Sequence, residues 1–127
     1  MRLAKVTLVV RDYDEAIAYF VDALGFRLVE NADMGRGKRW VVVSPGANSA
    51  EILLAKGVGE AQSARAGDQT GGRVAFFLDT DDFDRDHAAF VARGVNFLEA
   101  PRVEAYGKVA VFEDIYGNKW DLVQQNA

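Results

Sequence analysis

The chain has 127 residues, half of them hydrophobic and 27% charged, a balance that supports one domain with a sizeable core and excludes disorder over most of its length. Fifteen lysines and arginines stand against 19 aspartates and glutamates, a net charge of −4, so the protein's field gives no general attraction for nucleic acid. The absence of cysteine and the single histidine, His87, remove disulfides, thiol nucleophiles and any multi-imidazole zinc site within one chain.

Residues 3–10, LAKVTLVV, are β-branched and apolar and predict a strand. Asp12 with Glu15 has the spacing of a capping box. Ala16, Ile17, Phe20, Ala23 and Leu24 then recur at helical intervals until Gly25 stops the element. FRLVEN, RWVVVS and AEILLA follow as three strands, separated by MGRGK and PGANS as turns. From Gly57 to Gly72 the composition shifts to Gly, Ala, Ser and Gln with no sustained hydrophobic period, a linker that either carries a short helix or joins two units. The pattern then restarts, which favours the join. RVAFFL reads as a strand, TDDFDRDHAAFVAR as a helix stopped by Gly94, and VNFLEA, KVAVFED and NKWDLVQ as three strands, with turns at PRVEAYG and IYG.

Each half therefore runs strand, helix, glycine, strand, strand, strand. Gly25 and Gly94, like Glu30 and Glu99, are offset by 69 positions, which marks a duplicated unit. The expected organisation is a single α+β domain over 1–127, made of module 1 (3–56), a linker (57–72) and module 2 (73–125). Neither half can cover both faces of its own sheet, so the two should share a curved surface, with the cleft between them as the ligand site. No segment near Met1 has the form of a signal peptide, and no run reaches the roughly 20 apolar residues of a membrane span. A cysteine-free chain of this kind is expected in the cytoplasm, away from membranes.

Several local signals have plain structural readings. His87 lies on the apolar side of its predicted helix and reads as a packing histidine. The acidic run from Asp79 to Asp86 lacks the EF-hand frame and reads as a helix start favoured by the macrodipole. Gly35-Arg36-Gly37-Lys38 precedes a strand rather than a helix and reads as a hairpin turn, not a phosphate loop. Trp40, Tyr106, Phe112 and Trp120 lie on or beside strands and offer rings for stacking on a flat ligand. Sheet core accounts for at least two of them. Tyr106, in a turn at the expected cleft rim, is the first choice for ligand contact.

The opening strand with its helix, KVTLVVRDYDEAIAYFVDALGF, and the closing VAVFEDIYGNKWDLVQ resemble the vicinal oxygen chelate superfamily. This group includes glyoxalase I, bleomycin-resistance proteins, fosfomycin-resistance enzymes and extradiol dioxygenases. The resemblance implies paired βαβββ modules forming an open, cupped mixed sheet, commonly in a homodimer. In metal-dependent members a divalent ion is held near the start of each module's first strand and by an acidic residue on each last strand. Carried over by position, those places fall on Lys5, Glu51, Arg73 and Asp121, with Leu53 an alternative to Glu51 if the register slips by two.

Lysine and arginine have no lone pair to give a metal at neutral pH and repel a cation, so no metal and no cofactor is expected. Two acids and two bases around one cleft can instead neutralise each other. Lys5 and Arg73 are thus either solvated strand-end charges or a pair that recognises an anionic ligand. The expected ligand-binding cleft comprises Lys5, Glu51, Arg73, Tyr106, Asp121, Trp40 and Phe112. The leading reading is a bleomycin-resistance-like protein holding a small organic, anionic or aromatic molecule without chemistry. The alternative is an enzyme, a metal-dependent glyoxalase-like lyase or isomerase or a dioxygenase, with an atypical metal site and catalytic residues that the sequence does not identify.

Overall fold

The computed structural model describes residues 1–127. Module 1 comprises β1 (Lys5–Val10), α1 (Tyr13–Ile17) continuing as a π-helical segment (Ala18–Ala23), β2 (Arg27–Asp33), β3 (Arg39–Ser44) and β4 (Glu51–Lys56). A five-residue helix, α2 (Gly59–Ser63), follows within the stretch read from sequence as the linker. Module 2 comprises β5 (Val74–Asp79), α3 (Phe83–Ala92), β6 (Asn96–Phe97), β7 (Arg102–Glu104), β8 (Gly107–Glu113) and β9 (Lys119–Gln125). The fold class is that expected, α+β with two mixed sheets. No helix is long and apolar enough to cross a membrane.

Each module builds its own sheet, in the orders β1-β4-β3-β2 and β5-β9-β8-β6 with β7 also on β8. The first strand of each module runs parallel to its last, β1 with β4 and β5 with β9, and the other pairings are antiparallel. A parallel pair needs a long crossover, and the helix of each module supplies it. Asp12 caps α1 by accepting from the Glu15 amide at 2.8 Å, and Asp82 caps α3 by accepting from the Arg85 amide at 3.1 Å. Gly25 ends the first helix with φ at 73°, a conformation that costs glycine little.

Alternation along the strands decides what is buried. Leu8 and Val10 of β1, Val41 and Val43 of β3, Ile52 and Leu54 of β4, Ala110 and Phe112 of β8 and Trp120 and Leu122 of β9 all enter a single core cluster of 19 buried residues with Phe20, Phe83 and Phe90 from the helices. The helix-bearing sides of both sheets therefore pack together. Trp120 sits at their meeting point, with ring centroids 5.8 Å from Phe20, 6.0 Å from Phe26, 4.4 Å from Phe76 and 5.9 Å from Phe112. The connection between modules is fastened as well as threaded. Gln69 accepts from the Val9 amide at 2.9 Å and donates to the Thr7 carbonyl at 2.5 Å, covering the free edge of β1.

Two sequence expectations need correction in module 2. VNFLEA forms only the two-residue β6, and the predicted turn PRVEAYG contains β7. Glu99 explains the break: its carboxylate accepts from the Val111 amide at 3.0 Å and from Arg102, taking a position on β8 that a continuing strand would fill. Pro101, which lacks an N–H, then follows.

Candidate functional site

Because the core takes one side of each sheet, the alternate residues point away from it. On the first sheet the register aligns Lys5 with Glu51, then Thr7 with Leu53 and Val42, then Val9 with Ala55. Trp40, two residues before Val42 on β3, shares that outer face. On the second sheet Phe77, Asp121 and Val111 form one row and Asp79, Val123 and Val109 the next.

The end of the first sheet where the β2–β3 hairpin meets the close of β4 carries a cavity of about 360 Å³, within the size range of small-molecule sites. Its lining includes the apolar Trp40, Leu53, Leu54 and Ala55, the hairpin residues Arg36, Gly37 and Lys38, and Lys56, Val58 and Gln62 from the close of β4 onward. Tyr13 and Arg39 complete one end and are held rigidly. The Arg39 amide donates to the Tyr13 hydroxyl at 3.2 Å, and its guanidinium lies 5.2 Å from the Tyr13 ring centroid. That guanidinium also bonds Asp14 at 2.8 Å and Asn31 at 3.0 and 3.2 Å. Arg36, Lys38 and Lys56 make no ion pair. The lining contains no Asp, Glu, His or Cys.

The residues singled out in the sequence fall into separate places. Lys5 and Glu51 pair across β1 and β4 in an ion pair of 3.2 Å, with Leu53 two residues on along the same face, opposite Thr7. Arg73 lies just before β5 and lines an open depression on the second sheet with Phe77, Leu98, Val111 and Lys119. Asp121 stands in the row of Phe77 and Val111, half-buried, with Oδ1 buried and without a hydrogen-bond partner. Its carboxyl is pushed above the ordinary aspartate range, chiefly by burial and further by Glu99, against the opposing effect of Arg102.

Cavities do lie between the modules, one of about 440 Å³ lined by Leu24, Phe26 and Pro45 of module 1 and by Leu78, Arg85 and Phe90 of module 2, but the charged residues expected to share a cleft are not brought together there. None of the principal cavities combines Lys5 or Glu51 with Arg73 or Asp121, because the two sheets meet through their helix-bearing sides. Phe112 is a second correction: it is fully buried in the core and stacked on Trp120, with no surface for a ligand. Tyr106 is 52% exposed in the β7–β8 turn and lines none of the principal cavities. Trp40 does line one. His87 packs between Phe83 and Phe97, at 5.3 and 4.3 Å between ring centroids. Sequence reasoning missed Arg36, Lys38 and Lys56 as lining residues, though an arginine between two glycines at a hairpin tip was a signal in plain view.

The donor set does not fit the divalent ion that the resemblance implies in metal-dependent members. Lys5 and Arg73 offer no lone pair, Glu51 is paired with Lys5, and no three or more His, Cys, Asp or Glu side chains come together as a possible metal cage.

The chain matches the family described as Glyoxalase/Bleomycin resistance protein/Dioxygenase superfamily over residues 2–122. An uncharacterized protein of Shewanella frigidimarina (strain NCIMB 400) is 48% identical over 98% of this chain and 93% of its own length. Among solved structures, UcmS2 superposes with a TM-score of 0.83 at 29% identity, covering 97% of both chains. TnmS3, an antibiotic binding protein from Streptomyces sp. CB03234, superposes with a TM-score of 0.80 at 26% identity over 99% of this chain and 97% of its own. With its duplicated βαβββ modules and a family match across nearly its whole length, the chain belongs to the glyoxalase/bleomycin resistance protein/dioxygenase superfamily.

Proposed function

We propose that this chain is a binding protein of the bleomycin-resistance type, which holds a small organic molecule in the cavity at the hairpin end of its first sheet without a metal and without chemistry. The observation that carries the reading is the cavity beside Trp40 and Leu53, of ligand size and without a single carboxylate, imidazole or thiol in its lining. Such a lining can grip and stack but offers no carboxylate, imidazole or thiolate donor to a metal. The likeness to TnmS3, itself an antibiotic binding protein, supports the same reading.

We further propose a cytoplasmic homodimer, the cysteine-free sequence suiting a reducing compartment. Phe77, 66% exposed, and the exposed Leu98 beside it give the outer face of the second sheet an apolar surface that a second copy would cover. Sedimentation is expected to give twice the chain mass, and a monomer at all concentrations would contradict this part.

Binding is tested by a thermal-shift screen of small aromatic and anionic compounds with calorimetry on the hits. Saturable stabilisation by at least one compound, weakened in Trp40→Ala, is expected. A lyase, isomerase or dioxygenase turnover that depends on added metal would overturn the reading.

A further inference from the structure

Arg36 is the one residue other than glycine with a positive φ, 57°, between Gly35 at 81° and Gly37 at 78°. A side chain in this left-handed conformation costs about 1 kcal/mol that glycine would avoid, and the turn has glycine on both sides. The hairpin itself is closed by backbone bonds from Lys38 to Gly35 and from Met34 to Lys38, to which the Arg36 side chain contributes nothing. Strain of this kind, where the turn does not need it, points to a use for the side chain.

Arg36 lines the Trp40 cavity, together with Lys38 from the same hairpin and Lys56 from the end of β4. They come from two stretches of a chain whose net charge is −4, yet they converge on one cavity whose lining has no acid. None has an ion-pair partner. Arg39, the fourth cation there, is consumed by Asp14 and Asn31. A lining of three uncommitted cations around an indole is complementary to a flat ring bearing a negative group. The ring stacks on Trp40, and the anion takes charge-assisted hydrogen bonds from Arg36 and the lysines.

We propose that this cavity selects aromatic anions, compounds of the aryl carboxylate or aryl sulfonate class, through Arg36, Lys38 and Lys56. The proposal rests on the ligand-binding reading above and names its class of ligand.

The test uses the two tryptophan indole N–H signals of the full ¹⁵N-labelled chain. Trp120 is buried and bonded to Asp114, so it serves as the internal control for Trp40. Titration with 2-naphthoate is expected to move the Trp40 signal and leave that of Trp120 in place. Binding should be roughly tenfold tighter than for uncharged 2-naphthalenemethanol, and the advantage should shrink as salt is raised. Arg36→Gly should lose much of that advantage while melting no lower than the parent, because glycine suits the turn. Adding Lys38→Gln and Lys56→Gln should abolish it. Equal affinity for the two probes, or an advantage that survives all three substitutions, overturns the anionic class and leaves ligand binding standing. No movement of the Trp40 signal with either probe overturns both.

Discussion

Lys5 Nζ lies 3.2 Å from Glu51 Oε1, directly across the parallel pairing of β1 with β4. The resemblance read from the sequence expects donors of metal-dependent members at these two positions; here the two side chains pair with each other. Both side chains are partly open to solvent, at 40% and 26% exposure, so their pairing is worth little to the fold. Lys5→Met is expected to cost under about 1 kcal/mol, read as a small shift in the urea midpoint with the slope unchanged. A loss of several kcal/mol would show that the pair holds the sheet together.

Asp114 is the opposite case. Buried in the β8–β9 connection, it accepts from the Tyr116 and Asn118 amides at 2.9 and 3.0 Å, from the Asn118 side chain at 3.0 Å and from the Trp120 indole at 3.0 Å. Asp114→Ala would leave these donors unmatched beneath the core, at a cost of about 3–5 kcal/mol. Urea denaturation measures it, and a change below about 1 kcal/mol would mean that water replaces the carboxylate freely.

Asp121 gives the protein a pH dependence of definite sign. Burial, with Glu99, raises its carboxyl in the folded state, so between the unfolded and folded pKa values the native chain holds more protons. Stability from this residue is therefore greatest at low pH and falls as pH rises through that interval. Asp121→Asn removes the charge and should raise the Tm at neutral pH by a few degrees, a gap that closes once pH drops below the ordinary aspartate range. A variant that melts lower than the parent at neutral pH, increasingly so as pH rises, would contradict the assignment.

Most of the fold was legible in the sequence because it rests on local rules. Asp12 and Asp82 cap the two helices of the modules, Gly25 and Gly94 follow their ends, and the apolar alternation of β1 and β9 marks the buried sides. The π-helical turns at Ala18–Ala23 were not, since Phe20 and Leu24 satisfy an α-helical spacing as well. Nor was β7, which depends on Glu99 reaching the Val111 amide.

The site was less legible for a physical reason. Phe112 and Trp40 are both aromatic residues on strands, and only the strand pairings decide that one enters the core and the other the outer face. The duplication announced two like modules on one curved surface, but not that each builds a sheet of its own or which sides of the two meet. Arg36 and Lys56 converge through the packing of a hairpin tip beside the end of β4, and no spacing in the chain encodes that.

The proposed function is ligand binding without the family's metal, with Lys5 and Glu51 paired to each other rather than to an ion. It is tested most directly by elemental analysis of tag-free protein before and after incubation with nickel, zinc, manganese and iron(II). The account predicts far less than one equivalent of any metal after desalting. Near-stoichiometric retention, lost in Asp121→Ala, would contradict it and return the chain to the metal-dependent branch of its family.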